Sequence, residues 1–203
     1  MRIVSPERWL GTVPPLWRAL LSALILGGAL LELVQSRASL LRDGTEVRLK
    51  TAPVDPRDLF RGDYVVLSYE ISQVDAPAAE GFRRGDTVYV TLAPGPDGLA
   101  RVTAVGRSKP SVARGETALA GRVRSSGGCS PGADGRPDCS LGRQRLRVDY
   151  GLESYFVPQF SGRAIERTAR DRVEVVAAVS GSGQAAIKRL LIDGKTVHAE
   201  PPY

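Results

Sequence analysis

The chain has 203 residues, of which 42% are apolar and 25% charged. Those proportions fit a folded protein with room for one ordinary core, and 22 glycines with 14 prolines favour a turn-rich sheet protein over a helical one. The net charge of +6 is spread among Arg-x-Arg and Glu-x-Arg patterns and forms no contiguous block. No helix-turn-helix, finger or aromatic-basic pattern accompanies it, which argues against nucleic acid as a partner and leaves proximity to anionic lipid headgroups open.

The first predicted element is a membrane anchor. Residues 19–31 carry no charge, and extension to Val13 and Val34 gives an apolar segment of roughly 33 Å as a helix, enough for the ~30 Å hydrocarbon core. Arg18 and Glu32 lie near its two ends, where long side chains reach the interface, and Trp9 and Trp17 suit the interfacial belt. Arg2, Arg8 and Arg18 flank the leading end, so the positive-inside bias predicts a cytoplasmic amino terminus and an exported domain. A cleaved signal peptide is the rival reading; it exports the domain equally. The organisation expected is therefore a cytoplasmic segment 1–12, an anchor 13–34, a linker 35–44 and an extracytoplasmic domain 45–203.

Alternating apolar residues then predict a series of short strands. Residues 46–52 form the first. Residues 64–72 form the second and strongest, with Val65, Leu67, Tyr69 and Ile71 on one face. Residues 86–93 and 99–105 make a hairpin around the turn at 94–98. Residues 118–124 and 144–149 make another around a polar loop carrying Cys129 and Cys139. Residues 155–157 are a short extended piece, and 162–170 the best helix candidate in the domain. Residues 173–179 and 186–192 close a hairpin, and 195–198 follow the Asp193–Gly194 turn as an edge strand. Eight or nine short strands with one short helix predict a mainly β domain, barrel-like or sandwich-like.

The two cysteines, outside the cytoplasm, are expected to oxidise to a bridge. Closing that loop contributes up to ~2.8 kcal/mol in the chain-entropy account. No second cysteine pair or histidine cluster supports zinc, and Asp134 and Asp138 lack the twelve-residue calcium pattern. No metal and no cofactor is therefore expected.

The densest segment spans residues 54–69. Asp55 is a good helix N-cap, Pro56 follows at the first helical position, and Asp58 can reach back toward the cap. Gly62 supplies a left-handed stop before the strand. Arg57 and Arg61 stand among Asp55, Asp58 and Asp63, a set suited to a charge-assisted network. An Arg-Gly-Asp recurs 23 residues on, at Arg84, Gly85 and Asp86, again leading into a strand. Glycine there permits positive φ and aspartate bonds local amides.

Gly62, Asp63, Tyr64, Leu67 and Tyr69 fill every fixed position of a GDYxxLxY motif, and residues 56–61 match its usual lead-in. In these residues the chain resembles the bacterial membrane-anchored proteins named for that motif. Residues 150–158 are similar to a second shared segment, from which the sequence departs at Gln159 and Phe160. The resemblance spans most of the chain. It implies one amino-terminal anchor, an inner-membrane location and association with a multi-spanning membrane protein; it implies no established activity. The candidate binding surface is Arg57, Asp58, Arg61, Gly62, Asp63, Tyr64, Leu67 and Tyr69, read either as a rigid scaffold turn or as part of a docking face.

Two other functional classes share features with this chain. Type I signal peptidases, which are serine–lysine enzymes, also carry a β domain outside an anchor and contain a strand similar to residues 61–66. They need a serine nucleophile just after the anchor and a lysine of lowered pKa beside it. Ser36 and Ser39 sit in no such motif, and Lys188 falls too late in the chain. A lipid- or glycan-binding barrel lined by tyrosines such as Tyr69 is the other class. His198 is the only histidine, which excludes triads built on any other. No catalytic residue is assigned, and the expected function is a non-enzymatic accessory module for another envelope protein.

Overall fold

The structure is a computed structural model of the chain, and it describes residues 14–52, 64–129, 142–156 and 172–201. The chain divides into two compact units, Met1–Ser39 and Leu40–Tyr203.

Helix α1 runs from Pro15 to Asp43. Proline is tolerated at the first turn, and the interior is Leu- and Ala-rich with only Gly27 and Gly28 to weaken it. At 29 residues it is about 44 Å long, and it is apolar enough to cross a membrane. Its leucines stand exposed along the whole run from Leu16 to Leu33. The expected linker 35–44 is instead helical as far as Asp43. No glycine or proline interrupts residues 35–43, and the Ser36 and Ser39 hydroxyls bond back to carbonyls three residues earlier, at 3.0 and 3.1 Å. Gly44 ends the helix, its amide donating to the Leu40 carbonyl at 3.0 Å. A Cβ there would stand 2.4 Å from that same oxygen, so only glycine fits without a shift.

The rest is mainly β, as expected. Strands β1 (Thr45–Lys50), β9 (Val173–Val179), β10 (Ala185–Ile192) and β11 (Lys195–Ala199) form an antiparallel sheet in the order β1-β9-β10-β11. A second antiparallel sheet runs β3-β7-β6-β4-β5, from β3 (Gln73–Pro77), β4 (Thr87–Pro94), β5 (Ala100–Gly106), β6 (Thr117–Cys129) and β7 (Arg143–Asp149). Its edge strands β3 and β5 come back within 8 Å of one another, so this sheet curls almost into a barrel. Strands β2 (Tyr64–Val66) and β8 (Ser154–Phe156) form a short ribbon of their own.

The predicted hairpins 86–105, 118–149 and 173–192 are all present. Val88 and Val90 share the buried face of β4, as alternation requires. Asp193 and Gly194 both take positive φ, 50° and 75°, the geometry that a two-residue turn between right-twisted strands demands. Central strand β9 is buried on both faces over most of its length, which is why it reads as a continuous apolar run. Both sheets bury their inner faces in one cluster that includes Leu49, Val90, Leu146, Val175 and Leu190. A bond from the Ala120 amide to the Gly183 carbonyl, 2.8 Å, fixes the β9–β10 turn against β6.

One strand differs from expectation. Residues 64–72 do not run as a single strand: β2 ends at Val66, and a 3-10 turn occupies Glu70–Ser72. The alternation nevertheless holds, for Leu67, Tyr69 and Ile71 are all buried. The segment changes partner as it goes, first β8, then the continuation of β1 through the Thr51–Tyr69 bridge and the bond from Ala52 N to Ser68 O (2.8 Å). Strand β3, unexpected from the sequence, carries it into the second sheet with Val74 and Ala76 inward. The expected helix 162–170 lies outside the described residues.

Candidate functional site

The two segments singled out in the sequence meet in space. Tyr64, Val65 and Val66 pair antiparallel with Phe156, Tyr155 and Ser154. Beyond the ribbon the same alignment continues: the Leu67 amide donates to the Glu153 carbonyl at 2.8 Å. The Tyr69 hydroxyl then donates to the Leu152 carbonyl at 2.7 Å. In return the Tyr150 hydroxyl donates to the Ile71 carbonyl, also at 2.7 Å. Each segment thus places one buried phenol on the backbone of the other.

Local chemistry holds each side of this clasp. Gly151 takes φ 76°, a left-handed turn that suits glycine, and the Glu153 carboxylate accepts the Tyr150 amide at 2.6 Å. On the facing segment the Ser72 hydroxyl accepts the Tyr69 amide at 3.2 Å. Burial, and after it the nearby Glu153 carboxylate, push both phenols well above the ordinary 10.0, so both stay neutral donors. Gly121 on β6 leaves room for the Tyr150 ring; a Cβ there would fall 2.9 Å from the ring and 2.3 Å from Val148.

Of the predicted surface residues, Arg57, Asp58, Arg61, Gly62 and Asp63 lie outside the described residues, as do Asp55 and Pro56. Tyr64 opens β2. Leu67 and Tyr69 are interior, 6% and 1% exposed. Tyr69 packs in the core with its hydroxyl bonded. Cys129 is the last residue of β6, while Cys139 lies outside the described residues.

The second Arg-Gly-Asp behaves as strand-entry chemistry. Gly85 has φ 92°, and Asp86 accepts the Arg83 amide at 3.0 Å and the Arg107 guanidinium at 2.8 Å. The Arg83 amide first, and Arg107 with it, hold the Asp86 carboxyl below its usual range. Lys188 lies 3.0 Å from the Glu46 carboxylate, which Arg189 also contacts at 2.5 Å. The Ser39 hydroxyl is bonded within its own helix. His198 packs edge-on against Tyr155, ring centres 5.4 Å apart. The Tyr155 hydroxyl is buried and has no bond of ordinary geometry among the described residues; burial and then Glu200 push its pKa up. Among the described residues no group of histidine, cysteine and acidic side chains could hold a metal ion.

The clasp joins two stretches of sequence far apart in the chain. A family described as GDYXXLXY protein matches residues 26–190. The chain belongs to the GDYXXLXY family. That match covers both halves of the clasp, most of α1 and all strands up to β10. No curated protein and no solved structure matches the chain. The signal that could have paired the two segments in advance is their aromatic content: Tyr69 in one and Tyr150 in the other are buried, and a buried phenol must find an acceptor.

Proposed function

We propose that this GDYXXLXY protein is a bacterial membrane-anchored module whose exported β domain serves another, multi-spanning membrane protein as a non-enzymatic accessory. The observation that carries this reading is α1: large apolar side chains such as Leu24, Ile25 and Leu30 are exposed along a helix of membrane-spanning length. Water does not tolerate that much exposed hydrocarbon, and a bilayer does. The arginines at positions 2, 8 and 18 orient the anchor with its amino terminus inside. An oxidising compartment then favours a bridge between Cys129 and Cys139.

The motif tyrosine Tyr69 is committed to internal bonding, which supports a scaffold role for that part of the motif. The Lys188–Glu46 ion pair supports the non-enzymatic reading, since a serine–lysine enzyme needs a neutral lysine. Mild crosslinking of intact cells followed by affinity purification from membranes tests the proposal. Recovery of a multi-spanning protein in defined stoichiometry is expected. Recovery of the bait alone, where known envelope complexes are captured, overturns it. A reporter enzyme fused to the carboxy terminus tests the orientation and is expected to be active only outside the cytoplasm.

A further inference from the structure

We propose that the outward face of strands β6 and β7 binds anionic phospholipid headgroups. Arg143, Arg145 and Arg147 alternate with inward residues along β7, where Leu146 and Val148 are buried. On the adjacent β6, Arg122 and Arg124 flank buried Val123 in the same way. Antiparallel pairing brings the two runs side by side, with Ser125 opposite Arg147 and Arg122 opposite Asp149. Five guanidinium groups scattered through the sequence therefore share one face, on strands about 4.8 Å apart and roughly 6.8 Å between successive outward positions.

The fold uses this charge only in part, and Arg122 donates to the Gly85 carbonyl at 3.3 Å. Two carboxylates reach the face, Asp75 at 3.5 Å from Arg145 and Asp149 at 3.8 Å from Arg124. Arg143 and Arg147 are exposed and have no carboxylate partner among the described residues. Like charges gathered on neighbouring strands disfavour the sheet, and a fold retains them more readily when an outside anion balances them. Planar guanidinium groups match phosphate in a two-pronged fashion, and a sheet face presents them together to an array of phosphates.

What selects lipid as the occupant is the tether. Only Gly44 separates the end of α1 from the start of β1, so a helix inserted in a bilayer keeps the domain close to that bilayer. The inference rests on the anchoring proposed above, and the two can fail separately.

The test is arginine footprinting with phenylglyoxal on the full chain, in nanodiscs of phosphatidylcholine alone or of equal parts phosphatidylcholine and phosphatidylglycerol. Arg143 and Arg147 are expected to react about fivefold more slowly in the anionic discs, and high salt to abolish the difference. Arg101 and Arg172, paired with Asp97 and Asp193 on other elements, are expected to react alike in both. In an Arg143→Ser/Arg147→Ser variant the lipid dependence at Arg122 and Arg124 should weaken. Equal rates at Arg143 and Arg147 in both discs overturn the inference. So does uniform slowing of every arginine, or protection that needs an added acidic protein. Shedding of the chain from discs by alkaline carbonate overturns the anchoring instead. In that event the same protection must appear on vesicles of the same two compositions, and its absence there overturns the lipid site as well.

Discussion

Tyr69 and Tyr150 each donate a hydroxyl to a backbone carbonyl of the other's segment, and each is deeply buried. Replacing Tyr69 by Phe keeps the ring and strips the Leu152 carbonyl of this donor. The expected loss is about 1–3 kcal/mol in urea unfolding of the detergent-solubilised chain, the usual cost of an orphaned buried acceptor. Because both bonds hold the same pair of segments, the Tyr69→Phe/Tyr150→Phe double variant should lose less than the sum of the single variants, by about 0.5–1 kcal/mol. The same residues predict an alkaline limit. Both pKa values are raised in the folded state, so their stabilising effect is complete below the unfolded value of 10.0 and is lost as pH climbs past it. The melting temperature should fall above about pH 10 and tyrosinate absorbance from these two rings should appear only with unfolding. A flat melting temperature across that range contradicts the burial argument.

At the scale of elements, the fold depends on close approach between parts of different strands. Gly121 is the clearest case, because β6 has no room for a side chain beneath Val148 and Tyr150. Gly121→Ala should destabilise by about 1–3 kcal/mol through overpacking, with Gly121→Val worse. Calorimetry on the two variants checks the order. The segment 64–77 shows a second element-level principle. One stretch serves the ribbon, the continuation of β1 and the second sheet in turn, so it cannot keep the single pairing partner that a long strand requires. Side-chain alternation survives each change of partner because it follows from extended backbone alone.

For the molecule as a whole, the decisive contrast is between α1, with its hydrocarbon exposed, and a β unit that buries a single core. If α1 sits in a bilayer, a charge at its middle has nowhere to go. Ile25→Arg should convert the protein from carbonate-resistant to carbonate-extractable, while Val102→Arg, on an exposed strand position, should leave its membrane retention unchanged. Fractionation of cells expressing each variant gives the answer directly. Retention of the Ile25→Arg protein in the membrane pellet would remove the main support for anchoring by this helix.

Much of this architecture is written locally. The apolar run of α1, the hairpins around Asp97 and Gly194, the inward sides of β4 and β9 and the strand-entry role of Gly85 and Asp86 all follow from periodicity and turn chemistry, which neighbouring residues set among themselves. The fixed motif positions were equally legible, but what they do was not. That Tyr69 meets Leu152 and that Tyr150 meets Ile71 depend on which distant segments pair. Such pairing is settled by the joint burial of residues some eighty positions apart, as with Tyr69 and Leu152, and no local pattern encodes it.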